Sequence, residues 1–504
     1  MINKKRNKTG HILGVIVRQS ITNSIITYAG IGLGFILTIF LYPHILNPDQ
    51  YGLTRVLISA SYISSQLAHL GMHNLVMRYY PFFKKADSKS HGFLFWAITI
   101  PIIGFAIFTL LFFLADDLLI RFYEERSILF VEYYLWVLPL TLFILYYEVL
   151  NSYLRSLKDS VTGSLANEVT LRLIAITVLA LYFFEWISFS QFIALFVLSY
   201  ITQPLTICVR IWKMGEFRFI PNFKILKKPL YRGMINYSFY SLFGGLTTVL
   251  VWNIDVLMLG SMAGLDQTAI YAIAFYIASV ITVPQRSIEK IAAPLLSGFI
   301  KEKNWEQVGA IYRKTSLNQL IPGFLIFGFI WIHIDTLFLL LPEIYSAGKW
   351  VILIVGIGKL VEMGTGANGI ILINSKHYRV SFYTNIVLVV ITILLNYLLI
   401  PHYGIEGAAI ASAFAIFVFN SVKCLFIKLR FGLQPFTYQS LVVVVLGSVT
   451  LILVSNWVEI HSLWFDIPIK TILFGSLYLL PILYYRISPD LNDLLQSIRQ
   501  KWKS

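Results

Sequence analysis

The sequence predicts an all-α polytopic membrane protein, with about fourteen transmembrane helices. They form two parallel six-helix lobes around a central cavity, followed by two further helices. Three observations predict this. Of 504 residues, 57% are hydrophobic and 13% charged, with a mean hydropathy of +0.74, whereas a soluble chain carries about 25% charged residues. Apolar runs of about 18 to 25 residues recur along the length, each able to cross a hydrocarbon core of about 30 Å. Finally, Asp49-Gln50, standing between two apolar helices, recurs 217 residues later as Asp266-Gln267.

In chain order, a basic run from Asn3 to Lys8 precedes the first apolar segment, and no small-residue cleavage site follows it. We read an uncleaved first helix. The first six spans cover residues 20–42, 52–76, 92–114, 128–153, 161–184 and 190–209. A basic connection separates them from six more, at 235–259, 268–296, 317–338, 350–373, 380–400 and 407–427. Spans 441–457 and 467–485 lie outside the repeat, and an amphipathic tail, 491–502, suits the membrane surface. The expected organisation is therefore a lobe at 1–211, a cytosolic linker at 212–234, a lobe at 235–428 and an appendix at 429–504. At the offset of 217, residues 161–184 fall on 378–401 and 190–209 on 407–426 without gaps. Six helices followed by six in the same orientation form a parallel repeat about the membrane normal.

The net charge of +15 resembles that of nucleic-acid-binding proteins, but the basic residues lie in short alternate connections and form no single face. Positive-inside topology explains this pattern. One set of connections, including both termini, holds most Lys and Arg; the opposite set holds only Arg121, Arg126 and Lys349. Both ends are expected in the cytosol, with membrane lipid rather than nucleic acid as the partner. The two cysteines, Cys208 and Cys424, fall at cytosolic helix ends and provide neither a disulfide framework nor a metal site. There is no Walker loop, no long outer loop and no catalytic His/Asp or Cys/His spacing. No enzyme is expected.

Ionisable residues within a span cost about 2.5 to 3.5 kcal/mol on insertion scales and usually face a cavity or a partner. The candidates are Arg55, Glu132, Glu148, Glu168 and Arg172, then Asp255, Arg286, Glu289, Lys290, Lys359 and Glu362. Several have a structural explanation. Glu168 and Arg172 are four apart and can pair, Arg286 and Lys290 flank Glu289, and Lys359 stands three residues from Glu362. Arg55 could instead snorkel to the interface. Asp255 differs, because no basic residue lies three or four positions away. A carboxylate so placed can take up a proton or coordinate Na+. A cavity lined by Arg55, Arg172 and Arg286 would suit a phosphate or diphosphate, since guanidinium offers paired donors and keeps its charge.

Three segments then carry a resemblance: Asn47-Pro-Asp-Gln-Tyr-Gly52, Asp255 with Leu257-Met-Leu-Gly260, and the stretch from Leu395-Asn-Tyr-Leu-Leu-Ile-Pro-His-Tyr-Gly to Ser412. The chain resembles bacterial polysaccharide flippases of the multidrug/oligosaccharidyl-lipid/polysaccharide exporter superfamily over essentially its whole length. That resemblance implies transport of undecaprenyl-diphosphate-linked oligosaccharide across the bacterial inner membrane by alternating access. The driving force would be an ion gradient or the membrane potential, with no cofactor beyond a coupling Na+ or H+. By analogy with related flippases, an ion site would join Asp255 to Asn396 and Ser412; their usual second acid has no counterpart here. Arg18 and Arg55 loosely match first-lobe arginines of those proteins. A polysaccharide polymerase and chain-length machinery would be partners. Two alternatives are a multidrug/cation antiporter, favoured by twelve helices and an acid-rich first lobe, and a sugar polymerase or ligase, which would need a long outer catalytic loop.

Overall fold

The computed structural model of the protein describes residues 19, 22–86, 92–217, 219, 228–457 and 463–501. Among these residues every regular element is helical. Two compact units emerge, Met1–Ala269 and Ile270–Ser504.

The first unit contains α1 (Thr22–Ile45), α2 (Pro48–Ala68), α3 (Met72–Ala86), α4 (Phe93–Leu114), α5 (Asp116–Tyr123), α6 (Ile128–Ser156), α7 (Val161–Phe183), α8 (Phe189–Lys213) and α9 (Lys228–Met262). The start of α2 is chemically determined. Asn47 accepts the Gln50 N–H at 2.8 Å, Gln50 returns the bond to the Asn47 N–H at 3.1 Å, and Pro48 occupies a first-turn position whose N–H would be unused. Helix α6 packs against α2, α3 and α8, and Val76, Phe83, Phe93, Leu150, Tyr153 and Ile207 form the centre of a buried core. The second span expected at 52–76 is interrupted: Leu70 and Gly71 take φ of 50° and 76°, and the His69 ring accepts the Gly71 N–H at 3.0 Å. Close approach of the Ser238 backbone to Gly71 excludes a side chain there, so the chain turns and restarts as α3.

The second unit contains most of α10 (Leu265–Lys301), then α11 (Trp305–Ile332), α12 (Glu343–Gly364), α13 (Asn368–Asn374), α14 (Tyr378–Phe431), α15 (Tyr438–Trp457), α16 (Leu463–Tyr484) and α17 (Pro489–Lys501). Helix α14 is two helices meeting at Gly404, whose φ of 54° and ψ of −130° are non-helical. Only glycine adopts such angles without strain. At the repeat offset, this kink aligns with Ile187 in the break between α7 and α8. Gly366, at φ 60°, separates α12 from α13. Helix α17 is tethered to α11: Asp490 pairs with Lys314 at 2.8 Å and accepts from Asn318 at 2.8 Å.

Among the described residues, twelve stretches are long and apolar enough to cross a membrane, and the chain is a multi-pass membrane protein. One of the twelve covers 379–431 and contains the Gly404 kink. Helix α2, at 21 residues, is long enough, but its Ser, Thr and Gln residues leave it too polar to be among them.

Candidate functional site

Helix geometry concentrates the polar chemistry of each unit in one place. In the first, a π-helical turn at Ile36–Leu41 in α1 precedes Tyr42, and α2 presents Tyr51 and Arg55 one turn apart. The buried Tyr42 and Tyr51 rings stack with centroids 5.2 Å apart. The Arg55 guanidinium stands 4.7 Å from the Tyr51 centroid and 5.6 Å from that of Tyr42, within cation–π range. Its Nε is buried with no hydrogen-bond partner, and among the described residues it makes no ion pair with a carboxylate. Arg55 is thus held by aromatic faces instead of snorkelling.

A second π-helical turn, Ala166–Thr170 in α7, carries Glu168. Its carboxylate pairs with Arg172 at 2.9 Å, and Gly30 of α1 leaves the room they occupy: a Cβ there would lie 2.6 Å from Arg172 Nη1. Asn167 donates to Glu168 at 3.2 Å and accepts from Gln203 at 2.8 Å. Tyr200 lies within electrostatic reach of both Arg55 and Arg172, so these two predicted arginines share one neighbourhood. Nearby, His73 meets Glu148 at 3.2 Å and the Ser152 hydroxyl at 2.9 Å.

Asp255 is buried, 5% exposed, on α9. Beyond it, the same helix is anchored at two carbonyls: Tyr123 donates to that of Leu257 at 3.0 Å and Ser127 to that of Gly260 at 2.5 Å. Asn396 and Ser412, also buried, belong to the second unit and flank the Gly404 kink of α14. Arg286 is exposed on α10. Arg18 lies outside the described residues.

The second unit has a polar cluster that the sequence shows only in part. Lys359 pairs with Glu362 at 3.2 Å, as their spacing predicts. Glu289 instead accepts from Gln285 at 2.9 Å, and no pairing with Arg286 or Lys290 occurs among the described residues. Into this region α14 brings Lys423, 6% exposed, with its amine 3.5 Å from the Phe419 ring centroid. Lys423 is missing from the sequence candidates, although its place inside the expected 407–427 span was an available signal. Asn420 accepts from Asn368 at 2.9 Å and from Thr365 at 3.2 Å. Cys424, expected at a helix end, is buried against the Tyr312 hydroxyl at 3.3 Å. No metal-ligand cluster of His, Cys, Asp or Glu occurs among the described residues. Beside this cluster lies a largely apolar cavity of about 930 Å³, lined by Phe324, Leu360, Phe417, Leu441 and Val444, with Lys428 at its wall.

Comparison with known proteins defines the family. Residues 16–299, more than half of the chain, match the family model described as "Polysaccharide biosynthesis protein". No curated protein matches by sequence. Among solved structures, the fold is similar to the lipid II flippase MurJ in an inward closed conformation, with a TM-score of 0.72 at 14% identity, covering 93% of this chain and 99% of that one. It is also similar to an inward-facing multidrug resistance MATE family transporter of the MOP superfamily, with a TM-score of 0.60 at 18% identity, covering 83% and 98%. The MATE transporter VcmN of Vibrio cholerae in its bent form gives 0.52 at 12% identity, covering 83% and 98%. The fold is therefore like that of these solved transporters, and the chain belongs to the polysaccharide biosynthesis protein family.

Proposed function

We propose that this protein is a transporter that flips an undecaprenyl-diphosphate-linked oligosaccharide from the inner to the outer leaflet of the bacterial inner membrane by alternating access. The observation that carries this reading is Arg55. Its guanidinium is held in place by Tyr42 and Tyr51 and has no carboxylate partner among the described residues. A desolvated guanidinium with open donors is the chemistry a diphosphate selects. Arg172 shares the neighbourhood of Arg55, and Arg286 and Arg18 are further candidate headgroup ligands from the sequence. The 930 Å³ apolar cavity of the second unit has the size and chemistry to take part of a lipid tail. Family membership supports a substrate drawn from polysaccharide assembly. In this reading the chain crosses the membrane fourteen times, both termini are cytosolic, and a polymerase with its chain-length machinery receives the cargo. Asp255 serves the coupling ion, Na+ or H+, and Asn396 and Ser412 are candidates for the same role by the family analogy.

The test is restoration of surface polysaccharide in a flippase-null strain that makes the cognate lipid-linked repeat unit. The wild-type chain is expected to restore polymer. A correctly inserted chain that leaves the repeat units in the inner leaflet refutes the reading.

A further inference from the structure

We propose that Glu289, with Lys423, Lys359 and Glu362, forms a proton-binding site in the second unit that loads and releases one proton per cycle. The proton site stands on its own geometry; its coupling to cargo rests on the flippase reading above. Three helices build it. Helix α10 supplies Gln285 and Glu289, α12 supplies Lys359 and Glu362, and α14 supplies Lys423. Each carboxylate lies within electrostatic reach of Lys423 and of the other.

Two features distinguish this cluster from a static ion-pair network. Lys423 is more than nine-tenths buried yet makes no ion pair among the described residues, its amine resting on Phe419. A buried ammonium without a paired anion is costly, so its compensation comes from a carboxylate that is near without being locked to it. Glu362 acts on it most and Glu289 less. Glu362 is also engaged by Lys359 at 3.2 Å, which leaves Glu289 as the carboxylate of the cluster with no ion pair among the described residues. The second feature is Gln285. Its Nε2 donates to Glu289 at 2.9 Å, while its Oε1 is buried with no hydrogen-bond partner. Rotating this amide by half a turn would present that acceptor to Glu289. The present arrangement suits a carboxylate, and the rotated one suits a carboxylic acid, whose O–H would donate to Gln285 Oε1.

Charge balance follows. With both lysines protonated and both acids ionised the cluster is neutral; adding a proton to Glu289 breaks no covalent bond and leaves one net positive charge. The other titratable groups facing this cluster are Tyr312 of α11 and Cys424 of α14, hydrogen-bonded to each other; α13 contributes the neutral Asn368. Arg286 and Lys290, on the same helix as Glu289, are exposed.

Difference infrared spectroscopy of the full chain in lipid bilayers, titrated with pH, reads the protonated-carboxyl band directly. The band lost in Glu289→Gln is expected to titrate in the wild type. Lys423→Met removes a cation that favours the carboxylate, so the midpoint should rise. An unchanged band in Glu289→Gln, or an unmoved midpoint in Lys423→Met, overturns the site. Polysaccharide restoration is the second readout: Glu289→Gln should lose it while Glu289→Asp retains part. Wild-type polymer from Glu289→Gln overturns the coupling. A wild-type chain that restores no polymer refutes the flippase reading, while the infrared titration still decides the proton site.

Discussion

Replacing Arg55 by Met tests the proposed headgroup site most directly. A guanidinium can give two parallel charge-assisted bonds to a pair of diphosphate oxygens, each worth about 1.5 to 3 kcal/mol. Because no carboxylate partner of Arg55 has to be displaced, most of that energy is available to a ligand. A loss of about 3 kcal/mol weakens binding by roughly 150-fold, at about 1.4 kcal/mol per tenfold. Arg55→Lys keeps the charge over the tyrosines but loses the fork, and should cost about tenfold. Arg172→Met should cost less than about tenfold, since Glu168 already takes part of its charge at 2.9 Å. By the same logic Glu168→Gln should tighten binding. Titrating the purified full chain in nanodiscs with undecaprenyl diphosphate, with inorganic diphosphate as competitor, gives the constants. If Arg55→Met binds within about threefold of wild type while Arg172→Met is crippled, the ranking drawn from their partners is wrong.

Asp255→Asn should abolish polysaccharide restoration with expression intact, and full complementation would remove Asp255 from the coupling role. Asp159 is a stability prediction with a pH sign. Burial pushes its carboxyl up, but the Thr162 backbone N–H, the Arg210 guanidinium at 2.7 Å and the Thr162 hydroxyl together bring it below its ordinary value. Its stabilisation is therefore complete above the unfolded value of about 3.9 and fades as pH falls through the lower folded one. With Arg210 half-exposed, Asp159→Asn should cost about 1 to 2 kcal/mol at pH 7. The difference should shrink at the acid end of a thermal-unfolding series; a pH-independent deficit would contradict this. Gly52→Ala places a Cβ against the Leu265 carbonyl. Overpacking there should destabilise by about 1 to 3 kcal/mol, seen as a lower unfolding temperature in detergent.

Particular residues show how far the sequence could be read. Glu168–Arg172 and Lys359–Glu362 pair because residues three or four apart share a helix face whatever surrounds them. The same rule allows Glu289 to meet Arg286 three residues away or Gln285 four away, and Gln285 holds the carboxylate while Arg286 and Lys290 are exposed. Arg55 could snorkel by the length of its side chain; Tyr42 lies across a helix break from it, and this contact is absent from any local spacing. The break at Leu70–Gly71 likewise depends on the approach of Ser238, far along the chain.

Hydrophobic length was sufficient to set the class and the multi-pass character, and three short segments carried the family resemblance. Hydrophobic length is a property of one segment against the bilayer, which imposes the same requirement on every chain that crosses it. The chemistry inside was decided by packing between helices. Arg55 acquired Tyr42 across a helix break, and Lys423 was brought beside the acids of two other helices. Energies of a few kcal/mol at buried charges depend on which groups tertiary contacts bring within a few ångströms, and one-dimensional spacing does not carry that information.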